Sequence, residues 1–221
     1  MVRLRNLLKS PDFEDALRNF EFRPTTAISP LLSFLYETDA LVRGRAIRAI
    51  GQTVSMMAES SPESARNIMR RLIWSLNDES GGIGWGAPEA MGEIMAQNEM
   101  LACEYYRILI SYIDEAGNPL ENEALERGVL WGIGRLARSR PELTREAIGP
   151  VLKQLTSTDS VKRGLALWAL PALKPAPELA PLLVMPLLND ESEVDLYEDG
   201  EIRTFRIRDL VSELLKIMKS G

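Results

Sequence analysis

Small and large apolar residues recur along this chain in a unit that returns about every forty residues. The unit is visible in VRGRAIRAIG (42–51), IGWGAPEAMG (83–92), LERGVLWGIG (125–134) and KRGLALWALP (162–171). Each copy carries a small residue or valine, a small residue three places on, and then a large apolar one. These triplets are Ala46/Ala49/Ile50, Ala87/Ala90/Met91, Val129/Gly132/Ile133 and Ala166/Ala169/Leu170, separated by steps of 41, 42 and 37 residues. Spacings of three and four gather such positions on one helix face. A helix pair of this length cannot bury its stripe alone and must stack on the next, so the pattern predicts an all-α superhelix of about five helix pairs.

Punctuation places the pairs. The first is expected at 11–20 and 26–36, with Pro30 opening a helix that starts near Ser29. Asp39 is the N-cap expected for a helix reaching about Glu59, and Ser61-Pro62-Glu63 opens its partner, with Ala65, Ile68, Leu72 and Leu76 in one stripe. The third pair begins near Ala87-Pro88 and continues over 99–114. The fourth covers 120–139 and 141–155, and the fifth 160–173 and 177–188. Gly128, Gly132 and Gly134 read as points of close helix approach.

The ending departs from the repeat. EVDLYEDGEIRTFRI predicts a β-hairpin turning at Asp199-Gly200, the pair favoured by a type I′ turn. Its register sets Glu198 opposite Glu201, Tyr197 opposite Ile202, Leu196 opposite Arg203 and Val194 opposite Phe205. A closing helix over 209–218 shows Leu210, Leu214, Ile217 and Met218 on one side. Hairpin and helix together read as a cap for the last pair, whose apolar face includes Leu182, Leu183 and Leu187. The expected organisation is one domain over 1–221: an N-terminal capping pair (1–38), repeats (39–190), and the hairpin with its helix (191–221).

The Asp39-x-x-Val42-Arg43-x-x-Ala46-x-x-Ala49-Ile50-Gly51 run resembles the HEAT repeat, in the short subtype known from phycobilisome lyases. The resemblance covers roughly 39–190. It is looser in later copies, where Pro171 replaces the glycine and Lys162 the valine. DESGGIGWGAPEAMGEI with the YEDG hairpin is also similar to a family of uncharacterised bacterial HEAT proteins. These resemblances imply a fold; the only activity tied to the subtype is chromophore lyase, and no residue here points to bilin binding.

Composition narrows the chemistry. Histidine is absent and Cys103 is the single cysteine, which removes Ser–His and Cys–His pairs, histidine metal sites, thiolate zinc sites and intramolecular disulfides. Neither a P-loop nor a dinucleotide glycine motif occurs. A calcium-loop match at 195–206 fails at Tyr197 and at Arg206, where a bidentate acid belongs. No catalytic, cofactor or metal residue is expected. The N-terminus carries no signal-like apolar core and no segment reads as a membrane span, so the expected location is the cytoplasm.

Charge alternates between repeats. Ten carboxylates oppose Arg107 alone over 78–123, whereas six arginines oppose two glutamates over 41–76 and eight cations oppose four acids over 125–163. Contacts between repeats are the favoured explanation. The function read from this is a non-catalytic scaffold binding an unidentified protein partner on a concave, second-helix face, with Arg66, Arg70, Tyr105, Tyr106 and Arg145 as candidate contacts. A nucleic-acid binder or an enzyme resembling alkylated-base DNA glycosylases is the alternative, disfavoured because the central repeat is acidic.

Further candidates lie elsewhere. Trp85, in the glycine-rich run before Ala87, either tucks a turn onto the preceding repeat or faces a partner; the acidic neighbours Asp78, Glu79 and Glu89 disfavour an anion there. Trp131 and Trp168 share one repeat position with Arg48 and Glu89, turned away from the Ala49-type core. Either they form an outward apolar stripe, or the fourth copy slips by one residue and buries Trp168.

Overall fold

The computed structural model describes residues 2–19, 23–77, 84–174 and 180–220. The expected acidic flank at Asp78 and Glu79, the glycines at 81 and 82, and the helix start at Pro177 lie outside the described residues. Three short helices come first: α1 (Val2–Leu8), α2 (Phe13–Arg18) and α3 (Pro24–Ser33). α3 begins at Pro24 and carries Pro30 inside it, rather than starting at Ser29. Four long helices then form one layer, packed side by side in order: α4 (Ala40–Ser60), α6 (Ala87–Gln97), α8 (Glu123–Ser139) and α10 (Ser160–Leu173).

The N-cap expected at Asp39 is present, and Asp159 caps the last repeat's helix in the same way. Asp39 accepts from Leu41 and Val42, and Asp159 from Val161. Asn122 does the same for α8, accepting from Ala124 and Leu125. Each carboxylate or amide oxygen satisfies N–H groups that the first helical turn leaves unpaired. Arg43 donates to the Glu37 carbonyl six residues earlier, and Arg163 to the Ser157 carbonyl at the same spacing. The fourth copy is therefore in register with the first, and the slipped alignment is set aside.

The second helices shorten along the chain. α5 (Pro62–Leu76) and α7 (Glu99–Ser111) are regular; α5 buries Ala65, Met69 and Leu72, with Ile68 and Leu76 only partly covered. The expected helix over 141–155 is instead two 3-10 turns, α9 (Ile148–Lys153) and a further 3-10 turn. Pro141 and the Gly149-Pro150 pair account for the interruption, since proline supplies no N–H and glycine weakens the helix. α11 (Ala180–Val184) gives way at Pro186 in the same manner.

Alternating repeat charge resolves into pairing between neighbours. Arg66 meets Glu104 across α5 and α7, Lys153 meets Glu115, Arg127 meets Asp159, and Lys162 meets Glu126. Small residues permit close approach at α6 and α8, where a side chain on Gly92 would collide with the backbone of Gly132.

β1 (Glu193–Glu198) and β2 (Glu201–Arg206) pair antiparallel in the expected register, with Asp199 and Gly200 both at positive φ as a type I′ turn requires. α12 (Ile207–Ser220) packs against α10 and buries Ile207, Leu210, Val211 and Leu214. Ile217 is exposed, contrary to expectation, as is Leu182 on the preceding segment.

The hairpin does more than cover the last pair. Val194 occupies the space over Gly164 of α10, and Tyr197 the space over Gly44 of α4. Three strand residues span about 10 Å, whereas α10 and α4 are three helix spacings apart along the layer, each roughly 8–10 Å. The long-helix layer therefore curls around the hairpin. The concave side belongs to the first helices of each pair, not to the second helices.

Candidate functional site: the hollow beneath the hairpin

Position 48 of the repeat, occupied by Arg48, Glu89, Trp131 and Trp168, points into this hollow. The expectation that it turns away from the core holds, but the exposed stripe does not exist. Trp131 and Trp168 are 8% and 5% exposed, because the hairpin lies over them. Their rings stack with centroids 6.2 Å apart and planes 13° from parallel. Trp131 Nε1 donates to the Tyr197 carbonyl at 3.0 Å, and Trp168 Nε1 to Glu198 Oε1 at 2.9 Å. Arg138 lies 3.5 Å from the Trp168 ring centroid; burial pushes its pKa down to about 10.

At its far end the hairpin reaches the start of the chain. Buried Arg45 donates Nε to the Gly200 carbonyl and Nη1 to the carbonyls of Leu8 and Ser10, with its guanidinium 5.1 Å from the Phe13 ring centroid. One side chain thus ties the turn, the α1–α2 corner and α4 together.

Two cavities remain, one on each side of a wall made by Tyr197 and Trp131, which line both. In the cavity of about 390 Å³, Glu93 is 2% exposed and fully engaged. Arg135 donates Nε to its Oε2 at 2.6 Å, Gln97 donates to its Oε1 at 2.5 Å, and Arg48 lies 3.6 Å away. The other cavity, about 500 Å³, is bounded by Tyr36, Trp85, Glu89, Trp131 and Tyr197, with Arg43 and Arg127 also on its wall.

Glu89 stands at the third position of α6, preceded by Gly86, which sits at φ 72° where a side chain would be strained and would crowd Leu35. Its Oε2 is buried without a hydrogen-bond partner. Burial raises its carboxyl pKa to about 7, against smaller opposing effects of its own backbone N–H and of Arg43. Gly128 makes room for this carboxylate, since a Cβ there would collide with Oε2. Sequence reasoning assigned Gly128 to helix approach and missed this; its signal was a glycine facing an acid across two repeats. Trp85 is 40% exposed at the cavity's edge, and its other side shares a wall with Arg71, Leu72 and Ser75 of the preceding repeat.

The second-helix candidates lie on the convex side. Arg66 is held by Glu63 and Glu104, and Arg70 by Glu63 and Asn67. Tyr105 is buried, Tyr106 carries Arg107 over its ring, and Arg145 is exposed in a 3-10 turn. Arg66, Arg70 and Tyr105 are neighbours around Glu63 and Glu104, whereas Arg145 stands apart on a later pair. No cluster of metal-ligating side chains exists among the described residues, and no described helix is long and apolar enough to cross a membrane.

The architecture defines a helical-repeat superhelix. No family model matches the chain. An uncharacterised protein of Archaeoglobus fulgidus is 29% identical over 188 residues, spanning 84% of this chain and 94% of that protein. A designed armadillo repeat protein, solved in complex with the peptide (KR)4, superposes with a TM-score of 0.53 at 18% identity over 98% of both chains. An engineered protein superposes with a TM-score of 0.55 at 15% identity, over 99% of this chain and 98% of its own. These structural likenesses are to the fold.

Proposed function

We propose that this protein is a non-catalytic binding scaffold, a single HEAT-like unit over 1–221 that holds an extended protein segment on its first-helix face. The observation that carries the reading is the hairpin. The hollow already accommodates extended backbone, using indole N–H donors and glycine seats, and it keeps an open cavity beside it. Pre-formed concavity with a few convergent polar groups is what recognition of a ligand requires. The designed armadillo protein, solved with a peptide, is an example of a similar scaffold used this way. Nucleic acid is disfavoured, because arginines of the hollow such as Arg48 and Arg135 answer carboxylates instead of forming a phosphate-binding array. The finer assignment to the phycobilisome-lyase subtype rests on the Asp39–Gly51 run alone.

A photo-crosslinking amino acid placed at position 85, and separately at exposed position 107 on α7, tests the reading in native lysate. A discrete polypeptide adduct at 85 and none at 107 is the expected result. Absence of adducts at both, or the same adducts at both, would overturn it.

A further inference from the structure

We propose that the cavity beside Glu89 is a binding site for an alkylammonium group. Glu89 places a carboxylate in its wall, and Trp85, Tyr36, Trp131 and Tyr197 line the same space. This deepens the scaffold reading, since a lysine side chain is the form in which a protein segment would present such a group.

Three buried polar atoms among the described residues have no hydrogen-bond partner: Arg48 Nη1, Glu89 Oε2 and Tyr197 Oη. Arg48 is answered by Glu14 and Glu93, and a phenol left neutral costs less than a carboxylate. Glu89 is therefore the group whose desolvation is least compensated. The same repeat position meets a partner in the other three copies: Arg48 is ion-paired with carboxylates although its Nη1 makes no hydrogen bond, and both indoles have acceptors. Gly128 seats this carboxylate against α8, where any side chain would collide with it.

The surroundings select the ligand. An anion is repelled, and a divalent cation needs several oxygens where one is free. Aromatic faces and a desolvated carboxylate together favour an organic cation. One uncommitted carboxylate in the wall suits the point charge of an ammonium better than the two-pronged guanidinium.

The charged groups facing Glu89 from other elements are already directed elsewhere. Arg43 on α4 donates to the Glu37 carbonyl, Arg127 on α8 to Asp159, and Asp195 on β1 accepts from Thr204. Glu37 itself pairs with Arg5.

The test is calorimetry and tryptophan fluorescence on the full chain at low ionic strength, with tetramethylammonium, 1,5-diaminopentane and a lysine-bearing peptide, against sodium chloride. We expect saturable binding with quenching at pH 8. Glu89→Gln, which keeps the shape, should weaken it at least ~10-fold, since the charge-assisted contact is lost. Tetramethylammonium has a fixed charge, so its affinity should fall about tenfold from pH 8 to pH 6 as Glu89 takes up a proton. Tighter binding of the peptide than of the free amines identifies a protein lysine as the source; the reverse order identifies a small molecule. No saturable response to any cation in the wild-type chain, or equal binding by Glu89→Gln, would overturn the proposal. Cation binding without polypeptide crosslinks at position 85 would instead remove the scaffold reading and leave the site standing.

Discussion

Glu89 and Glu93 lie one turn apart on α6, face the same hollow, and have opposite surroundings. Glu93 is gripped by Arg135 and Gln97 with Arg48 close by, so it joins three repeats through one carboxylate. Glu89 has a glycine beneath it and aromatic rings in the same wall, and the nearby Arg43 and Arg127 are bonded to other acceptors. Buried charge that is fully answered holds a fold in one arrangement; buried charge left unanswered costs stability and is retained where something else is to answer it. The two cavities on either side of Tyr197 thus differ in role. One is a closed joint, and the other is a site.

The largest effect should come from breaking the joint. Glu93→Ala leaves Arg135 and Arg48 without their acceptor and should destabilise the protein by about 3–5 kcal/mol in denaturant unfolding. A loss below about 1 kcal/mol would mean that the pairing is no stronger than a surface contact, and the contrast between the two glutamates would collapse. Next is Trp168→Ala, which removes a buried ring stacked on Trp131 and under Arg138. The expected cost is about 3 kcal/mol by the same measurement. An unchanged midpoint would show that the hairpin is not held by the indoles.

Glu89 should behave in the opposite sense. Its carboxyl titrates near 7 in the folded chain and near 4.5 when unfolded, so between these values the native state holds a proton that the unfolded state has released. Stability therefore falls as pH rises from about 4.5 to about 7 and is level above that, with an upper bound on the order of 3 kcal/mol for this group. Comparing unfolding of wild type and Glu89→Gln at pH 4.5 and pH 8 isolates it. The variant should gain on the wild type at the higher pH, and parallel pH profiles would show that Glu89 has a counter-ion.

Local features of this fold were legible because they have local causes. Asp39 announces its helix by cap chemistry, and Asp199-Gly200 sets the hairpin register pair by pair. The repeat equivalence of Arg48, Glu89, Trp131 and Trp168 was also readable, including their turn away from the core. The burial of the two tryptophans was not, since it depends on a strand 30 to 66 residues further along. Periodicity says nothing about where an appended hairpin lies. A trace of it did exist: Gly44 and Gly164 are equivalent positions in the first and last copies, and both receive hairpin side chains. The pairing of the convex-face arginines was hidden for a related reason. Charge alone does not tell whether a neighbouring repeat supplies the counter-charge, and for Arg66 Glu104 does.

The smallest expected effect separates packing from presentation at Trp85. The residue is 40% exposed and stands at the rim of the Glu89 cavity, so it covers less apolar surface than a core indole does. Trp85→Ala should cost about 1–2 kcal/mol, below the ~3–5 kcal/mol of a fully buried aromatic. The same variant should lose several-fold in affinity for tetramethylammonium, because cation–π attraction at a partly desolvated face is worth about 0.5–2 kcal/mol. Melting curves and titrations on one preparation read both numbers. A large loss of stability would return Trp85 to the role of a turn anchor, and an unchanged affinity would confine the cavity's recognition to Glu89 and the inner wall. Small change in the first and clear change in the second is the pattern of a residue kept at the surface for what it meets there.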